Sequence, residues 1–193
     1  MEGLEAEIAR LLETRDLAAV AAAVMRGYGP EILAYLTALA RDEDRADDAF
    51  AQFSEDLWRG LPGFRGDASI RTWLYTLAWH AWLRQDRDAF RRRAHPLLSE
   101  EMSRLAAEVR STTAFHLKSE AKDAVASLRK QLSPAEQSLL VLRIDRGLTW
   151  AQVASVMSTP DEHLDPATVA KRFQRVKEKI RELARQAGLL RTT

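Results

Sequence analysis

The chain has 193 residues, 46% of them hydrophobic and 30% charged, with 8 glycines, 6 prolines and a net charge of +1. That balance suits one large or two small helical domains, and the lack of cysteine excludes disulfides, thiolate metal sites and cysteine nucleophiles. No apolar run approaches the roughly 20 residues a membrane helix needs, and the acidic start MEGLEAEIAR lacks a signal-peptide pattern, so a soluble, cytoplasmic chain is expected.

Leu4, Ile8, Leu11 and Leu12 recur at helical spacing, and the alanine-rich run to Val24 continues that helix. Gly27 and Gly29 are expected to break it, with Pro30 in the first turn of a second helix. Ile32, Leu33, Leu36 and Leu39 mark the apolar face there. A third helix is predicted from Asp44 to Arg59, with Ala46, Ala49, Phe50, Phe53, Leu57 and Trp58 inward. Gly60, Pro62 and Gly63 end it, and the loop FRGDAS leads to Ser69, a good N-cap for a long aromatic helix. Its inward stripe is read as Ile70, Trp73, Leu74, Leu77 and Ala81, with Arg71, Arg84 and Arg87 on other faces. Arg91, Arg92 and Arg93 close this helix, and Pro96 stops it.

Residues 96–118 have weak periodicity and read as an interdomain linker, in which SEEMSRLAAEVR can form a short helix. A second helical domain is predicted over 119–193. Ala124, Leu128 and Leu132 form its first stripe, and Ser133-Pro134-Ala135-Glu136 is a capped helix start. Gly147 stops that helix, Thr149 caps WAQVASVM, and Asp165-Pro166 begins the last helix. The expected fold is therefore all-α: a helical domain over 1–95, a linker over 96–118 and a helix-turn-helix domain over 119–193.

Charge and motif point to nucleic acid. Residues 1–63 hold 6 basic and 13 acidic side chains, a net of −7; residues 64–95 hold 7 and 3, a net of +4; residues 165–191 hold 8 and 3, a net of +5. Two basic blocks predict two contacts with a polyanion, and the acidic first third predicts a basic partner. Phe64 to Arg93 interleaves arginines with Trp73, Trp79 and Trp82, a mixture that suits stacked bases and tracked phosphates. In the last helix Thr168, Lys171, Arg172 and Arg175 share one face, while Val169, Phe173, Val176 and Ile180 share the opposite one. A recognition helix needs this division; the alternative is a solvated basic face. No P-loop, HExxH or G-x-S-x-G motif occurs and the four histidines have no ligand spacing, so neither an enzyme nor a cofactor or metal is expected.

Both halves resemble extracytoplasmic-function (ECF) type sigma factors of bacterial RNA polymerase, in the sigma-70 family. RADDAFAQFSEDLWRGLPGFRGDASIRTWLYTLA resembles the second sigma region; LSPAEQSLLVLRIDRGLTWAQVASVM and TVAKRFQRVKEKIREL resemble the fourth. The resemblance implies a factor that binds core polymerase through its β′ clamp and β flap and directs recognition and melting of promoter DNA. Asp47, Asp48, Gln52 and Glu55 are then the clamp-facing residues. Phe64, Arg65, Asp67, Ser69, Arg71, Trp73, His80, Arg84 and Arg87 are the minus-ten set, Trp73 being equally readable as core. Thr168, Lys171, Arg172 and Arg175 are the minus-thirty-five set, with Thr168 alternatively a cap. Lys177, Lys179 and Arg181 are expected to face solvent or polymerase. An anti-sigma factor is a further implied partner. A helix-turn-helix regulator that binds duplex DNA without polymerase is the competing reading.

Three departures from the family pattern carry expectations. The clamp-facing helix is thinly acidic and has Ser54 where a large apolar residue is usual. Phosphorylation of Ser54 by a Ser/Thr kinase would supply about −1.5 to −2 charges there; the alternative is a small residue on a modified surface. Trp79 and His80 replace a frequent arginine-asparagine pair. The turn STPDEHLDPA has about five extra residues at Thr159–His163, placing Asp161 and Glu162 where they would repel DNA phosphate.

Overall fold

The computed structural model describes residues 2–40, 42–87, 100–117 and 124–189. Helices and turns account for the architecture, and no strand occurs among the described residues. The chain divides into two units, 1–118 and 119–193. The first holds α1 (Glu2–Glu13), α2 (Leu17–Leu39), α3 (Glu43–Gly60), a 3-10 turn (Leu61–Gly63), α4 (Ile70–Arg87) and α5 (Glu100–Leu117). The second holds α6 (Ala124–Arg129), α7 (Pro134–Leu140) with a wider π-type turn after it (Val141–Asp145), α8 (Trp150–Met157) and α9 (Pro166–Gln186).

The expected helix break at Gly27–Pro30 is displaced. The chain turns earlier, at Thr14–Asp16, where Arg15 takes a left-handed φ of 55° and the Asp16 carboxylate accepts from the Ala19 N–H, capping α2. From there α2 runs unbroken through Gly27, Gly29 and Pro30. An interior proline costs about 3 kcal/mol and each glycine about 1 kcal/mol. Against that, α2 buries Val20, Val24, Met25, Tyr28, Ile32, Tyr35, Leu36 and Leu39 almost completely, each contributing about 1.5–3 kcal/mol. Packing wins. The glycines are places of close approach: a Cβ at Gly27 would collide with Leu4 of α1, and one at Gly29 would sit 2.9 Å from Val109 of α5.

Around α2 stand α1, α3, α4 and α5. Phe50, Phe53 and Leu57 of α3 and Leu74, Tyr75, Ala78 and Trp82 of α4 complete the core, and Tyr35 meets Tyr75 edge-on at 5.1 Å. Tyr28 donates to Glu5 of α1 at 3.1 Å; burial, with the Glu5 carboxylate beside it, pushes its phenol up to about 12.

The linker expected over 96–118 is corrected over its described part. Residues 100–117 form α5, which packs on α2 and α3 inside the first unit. Met102, Ala106, Val109 and Thr113 are buried, a 4-3-4 spacing that lines one helical face. This stripe is short and mixes small, branched and polar residues, so periodicity alone reads it poorly.

In the second unit the predicted caps form. Ser133 and Glu136 close a capping box on α7, and Thr149 and Gln152 close another on α8. Asp165 caps α9, with Pro166 in its first turn. Gly147 adopts φ 69°, as the stop before α8 requires. Leu128, Leu132, Leu139, Leu142, Leu148, Val153, Val156, Val169, Phe173 and Val176 form the core, and Trp150 meets Phe173 at 5.3 Å.

Candidate nucleic-acid interface

Two surfaces carry the predicted residues, one in each unit. In the first, the 3-10 turn ends at Phe64, whose N–H donates to the Leu61 carbonyl. Gly66 follows with φ 78°, a conformation that suits glycine and swings the loop outward. Arg65, Asp67 and Ser69 are exposed. Ser69 caps α4 as predicted, accepting from the Thr72 N–H at 3.2 Å, with its hydroxyl 2.9 Å from that of Thr72. Phe64 and Trp73 form a tilted pair at 4.9 Å, and both are half-buried. They make an aromatic ledge beneath the loop, with part of each ring left to solvent.

A cavity of about 500 Å³ opens between this loop and the α1–α2 turn, lined by Leu12, Arg15, Leu61, Phe64 and Arg65. Its walls mix apolar and polar surface, and it carries two cationic side chains. Arg15 was missed by sequence reasoning. Its only sequence signal is an arginine at a helix end, and the turn that brings it beside Arg65 is tertiary.

Other members of the minus-ten set are engaged elsewhere. Arg71 donates through Nε and Nη2 to Glu31 of α2 at 2.9 and 2.6 Å, and the Tyr75 hydroxyl donates to the same oxygen at 2.7 Å. Burial works against the guanidinium charge, and Glu31 more than compensates, raising the Arg71 pKa. Arg84 pairs with Asp56 of α3. Burial pushes the Asp56 carboxyl up, with Arg84 and the Gln52 amide offsetting part of that rise. Trp79 is 5% exposed, and its Nε1 has no hydrogen-bond partner among the described residues. His80 is half-buried. The Arg87 side chain and Arg91–Arg93 lie outside the described residues. The loop therefore presents the accessible groups that carry no ion pair with a described residue, while Arg84 on α4 is exposed but paired.

The acidic helix α3 changes more. Asp47 is exposed and Asp48 half-buried, but Glu55 is 2% exposed and takes Arg59 at 3.8 Å. Gln52 donates to Asp56 at 3.1 Å. Partial desolvation raises the Asp47 carboxyl, opposed by Arg110 of α5. Glu43 and Asp44, in the first turn, are exposed acids that the sequence reading passed over. Ser54 is 0% exposed, and its hydroxyl donates to the Phe50 carbonyl at 2.8 Å. A kinase would have to unfold α3 to reach it, and a phosphate would have no room. The phosphorylation expectation, and the kinase with it, is withdrawn.

In the second unit α8 and α9 form the predicted helix pair, joined by Ser158–Asp165. Lys171 and Arg175 are exposed and make no ion pair with any described residue. Thr168 takes the capping role: its N–H and hydroxyl donate to Asp165 at 2.8 and 2.7 Å, and these bonds hold that carboxyl below its usual range. Arg172 pairs with Glu162 of the loop. Lys179 is exposed, in line with the expectation that it faces solvent or polymerase, and donates to Glu136 of α7 at 2.7 Å. Partial burial pushes Glu136 up, but Lys179 and the Ser133 N–H outweigh it and lower its pKa.

Residues 24–94 match the family model "Sigma-70 region 2". A curated relative, RNA polymerase sigma factor YlaC of Bacillus subtilis (strain 168), is 42% identical over 64 residues, which are 32% of this chain and 37% of that protein. A solved structure of similar fold is the sigma factor RpoE of Bartonella quintana, in co-crystal with the anti-sigma factor NepR. It has a TM-score of 0.56 and 16% identity, over 81% of this chain and 91% of that one. The resemblance read from the motifs is thereby supported over residues 24–94.

Proposed function

We propose that this chain, which carries sigma-70 region 2 over residues 24–94, is an alternative sigma factor of the ECF type. It binds core RNA polymerase, directs it to promoters and helps melt the minus-ten region, without catalysing RNA synthesis. The observation that carries this reading is the region 2 match falling on an outward loop with an aromatic ledge, followed in the next unit by a basic helix-turn-helix. The order and the chemistry agree.

Each part then has a task. Glu43, Asp44, Asp47 and Asp48 present negative charge from α3 to a basic surface of the β′ clamp. Strand opening needs a place that holds a base outside the stack. The cavity between Arg15 and Arg65, with Phe64 on its wall, supplies apolar surface for a base and cations for its phosphates. Asp67 and Ser69 offer edge-reading groups. In the second unit Lys171, Arg172 and Arg175 meet the minus-thirty-five duplex, while Thr168 holds the start of α9. The β flap is the polymerase surface for this unit. An anti-sigma factor is a partner, as NepR is of the similar RpoE fold. The site of action is the cytoplasm.

The test is promoter-dependent transcription by core polymerase with and without this protein. A transcript only in its presence is the expected result. Tight, specific duplex binding by the isolated chain, with no gain on adding polymerase, would instead support a stand-alone regulator.

A further inference from the structure

The turn between α8 and α9 is longer than a helix-turn-helix needs, yet it is built with care. The Ser158 hydroxyl donates to the Ala154 carbonyl at 2.8 Å and accepts from the Leu164 N–H at 2.9 Å. Leu164 is buried. The Thr159 N–H donates to the Glu162 carbonyl at 2.9 Å, and the Glu162 N–H returns to the Thr159 carbonyl and hydroxyl at 3.2 and 3.0 Å. Glu162 therefore sits on a closed turn pinned at both ends, the far end by the Asp165 cap. From that turn its carboxylate reaches Arg172, ten positions away and one helical turn past Thr168 on α9. Lys171 and Arg175 flank the pair on the same face.

We propose that Glu162 is a specificity-determining residue for duplex recognition, resting on the reading of α9 as the minus-thirty-five helix. It withholds Arg172 from the phosphates of arbitrary DNA and yields it at the right base edge. The chemistry is an exchange. An exposed ion pair is weak, so DNA can open it. A phosphate replaces one anion with another and gains little over Glu162. A guanine edge offers bidentate acceptors and discriminates by more. Glu162 thus removes one cation from non-specific contact while leaving it available for base reading. The expectation of simple phosphate repulsion by the loop becomes the selective withholding of one guanidinium.

The experiment uses the full chain and its Glu162→Gln, Arg172→Gln and double variants. The probes are a duplex selected from a random pool by the reconstituted holoenzyme and an unrelated duplex of equal length. Glu162→Gln is expected to tighten unrelated-duplex binding about three- to tenfold and to steepen the log–log salt slope by about 0.9, one more phosphate contact. Selected-duplex affinity rises less, so the ratio of the two falls. In the Arg172→Gln background Glu162→Gln is expected to change neither. An unchanged slope and ratio, or an equal change without Arg172, overturns the role of Glu162 and leaves the reading of α9 standing. Failure of the wild type, alone and in holoenzyme, to prefer any selected duplex overturns both.

Discussion

The arginines of α4 and the cations of α9 arise from similar sequence patterns and finish in different surroundings. Arg71 and Arg84 are held by Glu31 and Asp56 on the neighbouring helices α2 and α3. Lys171 and Arg175 stand exposed on α9, and Arg172 pairs with the loop carboxylate of Glu162. The difference follows from position. Helix α4 is packed on α2 and α3, whose Glu31 and Asp56 pair with Arg71 and Arg84. Helix α9 turns Lys171 and Arg175 outward. A basic side chain on an amphipathic helix therefore speaks for nucleic acid only when no neighbouring helix supplies its counter-ion.

The comparison can be broken most forcefully at Ser54. Ser54→Glu is expected to cost about 3–5 kcal/mol, because it places an unpaired charge in the core, whereas Ser54→Ala costs about 1 kcal/mol for one hydrogen bond. Denaturant unfolding of the full chain measures both. Equal midpoints for Ser54→Glu and wild type would show that the residue is accessible after all.

A second test sets one helix against the other. Arg71→Ala is expected to lose about 1–3 kcal/mol of stability, since Glu31 keeps its burial and loses its guanidinium. Arg175→Ala should leave stability within about 0.5 kcal/mol yet lower the salt slope of duplex binding by about 0.9. A duplex-binding defect without a stability loss in Arg71→Ala would reverse the assignment.

Arg15→Ala sharpens the proposed cavity. It is expected to weaken capture of a single-stranded minus-ten oligonucleotide by holoenzyme about tenfold, the scale of one charge-assisted hydrogen bond. Unchanged capture removes the α1–α2 turn from the site. Duplex binding by α9 should not move in this variant.

The smallest effect concerns pH. Glu136 has a folded pKa below its ordinary 4.5, so its contribution is present above that value and is lost as pH falls through the folded pKa. The loss should be under about 1 kcal/mol, because the pair with Lys179 is partly exposed. Lys179→Ala should flatten the acid limb of the stability profile; an unaltered limb would assign it to other carboxylates.

Much of this was legible in the sequence because it is local. Ser69, Ser133, Thr149 and Asp165 cap helices through bonds spanning three residues, and serine, threonine or aspartate before an apolar run announces them. The apolar stripes of α3 and α9 were equally plain. The stripe of α5 was not: it consists of Met102, Ala106, Val109 and Thr113, whose burial depends on the surface of α2. The candidate site was read to its loop and its basic helix face, and missed at Arg15, whose neighbour in space is fifty positions away.

By itself the sequence determined that this protein is helical, where most of its helices begin, and which two stretches have the chemistry to meet DNA. Those properties depend on backbone groups and side chains within about one helical turn of each other. Only the tertiary structure decided that Gly27–Pro30 lies inside a helix, that Ser54 is sealed in the core, and that Arg71, Arg84, Arg172 and Lys179 have partners. Each of these depends on contacts between separate elements, where burial and charge pairing outweigh local preference.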